Sequence, residues 1–408
     1  MKLYDELKWR GLIKDEAGED LEEKINGGGL TFYWGTDPSA DSLHIGHLSS
    51  LLTAKRLELG GHHPIILVGG ATGLIGDPRP TTERPMITKE AVLKNYEGLK
   101  NQIKEIFGYD CVNNYDWSKN INFIDFLRDY GKYFNINYML DKDIIKRRLE
   151  SGITYTEFSY MIMQAMDFLY LYQNKNCVMQ AAGSDQWGNI TSGIDLIRKK
   201  LGKEAYGFTM PLVTDASGNK IGKSAGNAIW LDKNKTSSYE LYQFFLNSED
   251  EKVIDYLKIY TFLSKEEIEK IEKEQKAHPE TRIAQKTLAK EVVTFLHGKE
   301  SAEKAIEMSE ALFSGKVKNF TKEEINDIFK DMPKFEIKEA QNIVDFLVNN
   351  KIASSKREAR EFVQAGSITI NEEKITYLDK TITKDMAIDG EILVIRRGKK
   401  KYFIGKFI

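Results

Sequence analysis

Cysteine is nearly absent: Cys111 and Cys177 are the two thiols in 408 residues, far apart and without a C-x-x-C pair. That usage excludes a disulfide-stapled secreted scaffold and leaves two buried free thiols as the expectation. Long apolar runs are missing too. No stretch approaches the roughly 18 uncharged apolar residues of a membrane span, and the start, Met1-Lys2-Leu3-Tyr4-Asp5-Glu6, has no apolar signal core. No membrane partner is expected, and the cytoplasm is the expected location. Neither sign of charge dominates: the formal net charge is −2, so any nucleic-acid surface must be local. Internal repeats and low-complexity segments are not visible. The 41% hydrophobic and 29% charged content fit an ordinary globular protein. The length exceeds a single core of about 100–200 residues, so two or three domains are expected.

The local patterns that are present follow an order. Residues 31–34 (T-F-Y-W) are β-prone, Gly35 through Ser42 supply turn and capping residues, and an apolar-periodic run (Ile45, Leu48, Leu51, Leu52, Leu57) stops near Gly60-Gly61. This reads as strand, loop, helix and glycine stop. Residues 65–68 (I-I-L-V) suit a buried parallel strand, a helix is predicted from about 89 to 107, and Cys111-Val112 open another strand. From about 120 to 175 the pattern is mostly helical; 177–181 (C-V-M-Q-A) return as strand before a helix near 188–200. Such alternation predicts an α/β fold with an open sheet, placed in a catalytic domain over 1–230. Residues 236–315 read as consecutive amphipathic helices, with Ser264 and Glu267 at capping-box spacing, within a helical domain and connector over 231–340.

The tail, 341–408, reads as a small α+β domain. It has a short helix between Ser354-Ser355 and Gly366, a hairpin over 367–377 turning at Asn371-Glu372, and a last apolar strand at 391–395. Residues 351–408 carry 13 Lys/Arg against 8 Asp/Glu, and 396–406 hold six Lys/Arg and no acid. Charge segregated into the smallest domain fits a polyanion-binding module; a basic, solubilising tail accounts for the same count.

Chemistry concentrates in four places. Asp37 through Leu48 contain His44 and His47, i and i+3 across the opening turn of the predicted helix, with Gly46 between them. A helix N-terminus offers free N–H donors and a positive dipole end to phosphate, and two imidazoles there can meet charge developing on a phosphoryl group. A histidine pair at a surface turn fits the spacing as well. The loop from Gly69 to Pro78 carries four glycines directly after a strand and ends at Asp77, a carboxylate able to hold an amine, yet it matches neither the P-loop nor the dinucleotide fingerprint. Tyr160, Gln164 and Asp167 share one face of an otherwise apolar helix; either they line a polar pocket or that face is exposed. Residues 183–189 (G-S-D-Q-W-G-N) follow the last predicted catalytic strand. Finally, Lys220 and Lys223 stand three apart in Gly218-Asn219-Lys220-Ile221-Gly222-Lys223-Ser224, able to reach phosphates as point charges, although loop lysines are common on surfaces.

In this order the motifs resemble the class I aminoacyl-tRNA synthetases. His44-Ile45-Gly46-His47 is that class's HIGH sequence unchanged, and Lys220-Ile221-Gly222-Lys223-Ser224 resembles its KMSKS loop, departing at Ile221 and Gly222. Within the class the chain is most similar to the bacterial tyrosyl-tRNA synthetases, from Tyr33 through the basic tail. The resemblance implies a Rossmann-like catalytic domain, a helical anticodon-recognition domain and an S4-like RNA-binding domain. It implies that Tyr33 and Asp167 bond the tyrosine hydroxyl, that Tyr160, Gln164 and Asp77 surround the α-amino group, and that Asp37 and Gln180 complete the pocket. Gly35, His44, Gly46, His47, Asp185, Gln186, Lys220 and Lys223 are the implied ATP site, with His44, His47, Lys220, Lys223 and Arg84 as the catalytic set. Two positions depart from the pattern. Trp34 stands where many relatives have a cysteine, and segment 79–84 is one residue short, keeping Arg84 but without a counterpart to a lysine, Arg79 being nearby.

The implied reaction joins tyrosine to tRNA(Tyr) through an adenylate, with ATP as substrate, magnesium entering with it and no fixed protein metal site. Lys356, Arg357, Arg360, Arg396, Arg397, Lys399, Lys400 and Lys401 are the expected RNA contacts. A homodimer is expected, since the run Tyr133-Phe134-Asn135-Ile136-Asn137-Tyr138-Met139-Leu140 exceeds what one catalytic domain needs to bury. The competing readings are a tryptophan-specific sister enzyme, a nucleotidylyltransferase and a non-catalytic RNA-binding relative.

Overall fold

A computed structural model of the chain describes residues 1–79, 82, 84–222, 228–330, 332–398 and 401–408. By compactness the chain forms two units, Met1–Thr236 with Ser248–Leu288, and Ser237–Asn247 with Ala289–Ile408. These do not coincide with the 1–230, 231–340 and 341–408 segments read from composition, because helices after 248 return to the first unit. Polar anchors that local periodicity does not reveal hold them there: Arg10 and Arg56 donate to the carbonyls of Lys258 and Thr261, Arg56 also to Ile259 and Arg10 also to Leu263.

The first unit is built on six strands: β1 (Glu16–Ala17), β2 (Thr31–Thr36), β3 (His63–Val68), β4 (Cys111–Asn113), β5 (Cys177–Gly183) and β6 (Tyr206–Met210). Their order is β1-β6-β5-β2-β3-β4, parallel except for β1. Four long helices accompany them: α1 (Ile45–Leu59), α2 (Lys89–Phe107), α3 (Tyr155–Lys175) and α4 (Trp187–Leu201). The apolar stripe of α3 (Met161, Ala165, Phe168, Leu169) shares a core with Tyr33, Leu67, Leu196 and Ile197. The fully buried strand Tyr206–Met210 has no local sequence signal, since Y-G-F-T-M has neither alternation nor a β-branched run. Cys177 is buried and Cys111 half-buried, both free; burial pushes their thiols up to about 12 and about 11.

The sheet's order sets the position of the crevice. From β2 the chain passes to β3 on one side, and the later strands β5 and β6 are laid down on the other. Carboxyl ends of neighbouring strands therefore diverge at the β2–β5 boundary, where open α/β sheets take ligands.

Beyond residue 236 the chain is helical as read: α5 (Ser238–Leu246), α6 (Val253–Tyr260), α7 (Lys265–Ala277), α8 (Ile283–His297), α9 (Lys299–Ser314) and α10 (Lys322–Ile328). Capping boxes close α5 at Ser237, α7 at Ser264 as expected, and α10 at Thr321. The second unit continues with β7 (Lys334–Ile337), β8 (Gln341–Asn342), α11 (Ile343–Asn349), α12 (Lys356–Gln364), β9 (Ile368–Ile370), β10 (Glu373–Ile375), β11 (Thr381–Ile382), β12 (Ile392–Arg397) and β13 (Lys401–Phe407). The expected hairpin is β9–β10, with Asn371 and Glu372 both at positive φ. Strand 391–395 is not the last, however. β13 follows and lies between β12 and β7 in the order β10-β9-β12-β13-β7. Lys401 and Lys406 interrupt its apolar pattern, in which Tyr402 and Ile404 enter one core and Phe407 the other. β12 reads as a continuous apolar run because both faces are covered: Leu393 and Ile395 enter one core, Ile392 and Val394 another.

Candidate active site

The crevice is a cavity of ≈ 290 Å3 at the carboxyl ends of β2 and β5. Tyr33, Gly35, Asp37, His44, Gly46, His47, Asp77, Arg84, Tyr160, Gln164, Asp167, Gln180, Asp185, Gln186 and Lys220 all line it. One wall is β2, whose alternation sends Tyr33 into the core beside Phe168, ring centroids 5.3 Å apart. Its hydroxyl is buried without a hydrogen-bond partner, as is Oε1 of Gln180 on β5. Buried polar atoms left open in this way are costly unless something else completes them. Asp167, on α3, is held by two donors: Asn114 Nδ2 at 2.9 Å and the Trp117 indole N–H at 2.8 Å. Trp117 is in turn stacked on Tyr170, centroids 4.3 Å apart.

Next along the slot, the Tyr160 hydroxyl donates to Asp37 Oδ2 at 2.8 Å, and Thr72 Oγ1 donates to Asp37 Oδ1 at 2.6 Å. Gln186 donates to Asp77 at 2.9 Å, and Asn189 links Gln164 and Gln186 at 3.1 and 2.9 Å. Three carboxylates are thus enclosed together. Burial pushes Asp167 up to about 7 despite its two donors. Burial pushes Asp77 to about 7 as well, opposed by the Gln186 bond and reinforced by Asp37 and Asp185. Asp37 is raised by burial and drawn back by Thr72, Tyr160 and Arg84. Arg84 sits against Asp77 with its Nε on that residue's carbonyl, 2.6 Å. The slot is therefore short of positive charge, and an ammonium group is the complement it fits.

The mouth is basic and rich in donors. His44 is the N-cap of α1, its Nδ1 accepting the Gly46 N–H at 3.0 Å, while His47 Nδ1 accepts the His44 N–H at 3.2 Å. Two Nδ1 acceptors place the proton of each neutral ring on Nε2. A Cβ on Gly46 would lie 2.8 Å from His44 Cε1, so a side chain there disturbs the cap. Trp34 is buried with its ring edge-on to His47 at 6.4 Å. Lys220 is exposed on a hairpin in which Thr214 pairs antiparallel with it, and the next residue, Ile221, is buried. Gly222 has φ +75°, and a Cβ there would lie 2.5 Å from Ile45 Cγ1. This close packing onto α1 accounts for glycine at that position. Lys223 lies outside the described residues.

Motif reading passed over Asn114, Trp117, Thr72 and Asn189, which hold the lining carboxylates, and the buried Arg148–Glu157 pair at 2.8 Å. Arg148 also donates to the carbonyls of Arg79 and Thr82. Thr72 lies in the loop from Gly69 to Pro78 and Asn189 in the G-S-D-Q-W-G-N stretch; Asn114 and Trp117 follow β4, and Arg148 and Glu157 carry no local signal.

In the second unit Lys356, Arg357 and Arg360 are exposed on α12, Lys356 pairing with Asp345 and Arg357 with Glu361. Arg396 and Arg397 are half-buried and donate to the carbonyls of Ser314 and Ile352. Lys401 is exposed at the start of β13, and Lys399 and Lys400 lie outside the described residues. Among the described residues no three His, Cys, Asp or Glu side chains cluster as a metal site, and no helix is long and apolar enough to cross a membrane.

An open parallel sheet with a histidine pair capping one helix and a lysine hairpin across the same crevice is the layout of class I aminoacyl-tRNA synthetases. The family profile described as tRNA synthetases class I (W and Y) matches residues 26–314, and that of the tyrosine--tRNA ligase SYY-like C-terminal domain matches 324–405. The chain belongs to the tyrosine--tRNA ligase family. It is 51% identical to the tyrosine--tRNA ligase of Streptococcus uberis over 99% of each chain, and 50% identical to tyrosine--tRNA ligase 1 of Bacillus subtilis over 98% of each. Among solved structures, a C-terminally truncated mitochondrial tyrosyl-tRNA synthetase of Aspergillus nidulans matches at 34% identity and TM-score 0.67, covering 76% of this chain and 94% of its own. A tryptophanyl-tRNA synthetase of Encephalitozoon cuniculi shares the fold at 17% identity and TM-score 0.55, covering 74% of this chain and 87% of its own.

Proposed function

We propose that this chain activates L-tyrosine with ATP and transfers it to tRNA(Tyr). The observation that carries the substrate choice is the open Tyr33 hydroxyl at the closed end of the slot, beside a clamped Asp167. A phenol supplies what both lack, a donor for the carboxylate and a partner for the hydroxyl. The substrate ammonium takes the enclosed charge of Asp77 and the Tyr160–Asp37 pair, which leaves its carboxylate toward Gln186 and the histidines. A carboxylate oxygen then bonds to the α-phosphorus, the bond to the departing pyrophosphate breaks, and its electrons leave with the pyrophosphate. No covalent protein nucleophile is needed. His44 and His47 donate through Nε2–H to phosphate oxygens, and Lys220, with Lys223, adds point charge where negative charge gathers. Magnesium arrives as part of the triphosphate substrate. In the second step the terminal ribose hydroxyl of tRNA attacks the anhydride carbonyl and AMP leaves.

Helices 236–315 and the S4-like tail are assigned to tRNA, the exposed Lys356, Arg357, Arg360 and Lys401 tracking phosphates. The chain is assigned to a homodimer. Met139 is fully buried within its own unit, but Ile136 and Tyr138 stay exposed, as do Phe123, Ile124 and Leu127 in the same region of the chain. Charging of a tRNA(Tyr) transcript with labelled tyrosine tests the whole reaction, with acid-precipitable label that depends on ATP as the expected result. Light scattering at micromolar concentration should give twice the chain mass; a monomer removes the dimer assignment.

A further inference from the structure

We propose that Tyr256, backed by Tyr260, is a positioning residue for adenylate formation: it fixes the lysine hairpin against the histidine helix without touching substrate. The inference rests on the reaction proposed above. Helix α6 does not line the pocket, yet its tyrosines reach both basic walls of the mouth. The Tyr256 hydroxyl donates to the carbonyl of Thr214 at 3.0 Å, and Thr214 is the residue paired with Lys220. One turn later the Tyr260 hydroxyl donates to the carbonyl of Ile45 at 3.3 Å, the first residue of α1. The i, i+4 spacing sets the rings edge-on, centroids 6.2 Å apart at 68°, so both hydrogen bonds hang on one packed column. Both residues are buried.

The column is fixed at both ends. Glu249, just before α6, accepts the Ala216 N–H of the hairpin turn at 2.7 Å. At the far end Arg10 and Arg56 hold the carbonyls of Lys258 and Thr261. Phenylalanines would fill the same space. The hydroxyls add direction: one ends on the carbonyl of the residue paired with Lys220, the other on the carbonyl of the residue after His44. A charge helps a transferring phosphoryl group only when it is in place, and errors of about 1 Å cost on the order of a hundredfold.

The test is Tyr256→Phe in the full-length chain, read by tyrosine-dependent ATP–pyrophosphate exchange. The expected result is kcat lowered roughly three- to tenfold, the range of one neutral hydrogen bond. KM for tyrosine should stay within about twofold, because the slot on β2 and α3 is untouched. On a Lys220→Ala background the same substitution should add less than about twofold, since the two act as a unit. An equal loss in both backgrounds, or KM for tyrosine rising as kcat falls, means general loosening of the unit and overturns the proposal. Wild-type exchange alongside an unaffected Tyr256→Phe sinks the brace alone; no tyrosine-dependent exchange in the wild type sinks the reaction on which it rests.

Discussion

Asp167 is the residue on which we propose that the choice of tyrosine over phenylalanine turns. Phenylalanine is the smaller ligand and enters any apolar slot that admits tyrosine, so rejection must come from polar groups left open without the hydroxyl. Asp167→Ala is expected to lower kcat/KM for tyrosine at least tenfold more than for phenylalanine, on the scale of about 1–3 kcal/mol for such a group. Tyr33→Phe removes one neutral bond and should cost less. Adenylate formation with both amino acids measures this, and an unchanged ratio removes Asp167 from the role. The same carboxyl gives a pH signature. Its folded value of about 7 lies above an unfolded value of about 3.9, so the folded chain binds more protons between them. Stability from this group is fully present below about pH 4 and is lost as pH rises through about 7. Thermal unfolding of Asp167→Asn should therefore gain on the wild type between pH 5.5 and about 8. Tyrosine binding near pH 6.5 should release protons, because the ammonium favours ionised Asp77; calorimetry in buffers of different ionisation enthalpy reads that release.

At the scale of elements, the lysine hairpin, the histidine helix and the basic helix α12 make separate claims. Gly222→Ala places a Cβ against Ile45 at a positive φ, and should lower exchange about tenfold or more while tyrosine affinity holds. For α12, replacing Lys356, Arg357 and Arg360 by alanine should leave exchange unchanged and lower the salt slope of tRNA binding by about 1 per lost phosphate contact. Filter binding across salt concentrations measures it; an unchanged slope moves the RNA surface elsewhere. Deleting 351–408 is a poorer test, because β12 and β13 cover Phe320, Ile325 and Phe329 in a shared core. Which parts were legible follows from the same elements. α1, β2 and α3 carried their signals locally, in HIGH, in T-F-Y-W and in the i, i+4, i+7 polar stripe of Tyr160, Gln164 and Asp167. β13 did not, because Lys401 and Lys406 break up a strand whose buried residues serve two cores. The roles of Asn114, Trp117 and Arg148 are long-range, set by which strand end faces which helix, and no local spacing encodes that.

For the whole molecule, composition divides the chain into three segments while packing makes two compact units, because α6 and α7 return to the sheet-bearing unit. Charge segregation was visible as a count but not as a surface: Arg396 and Arg397 support their own unit, and α12 with Lys401 supplies exposed charge. The central claim is that one crevice binds tyrosine and drives its attack on ATP. Amino-acid-dependent exchange of labelled pyrophosphate into ATP, run on the full-length chain with each of the common amino acids, tests that most directly. Exchange with tyrosine, and little with phenylalanine or tryptophan, is the expected result. Exchange that follows tryptophan, or none with any amino acid despite ATP binding, would contradict the reading of Tyr33 and Asp167 as the ends of a tyrosine slot.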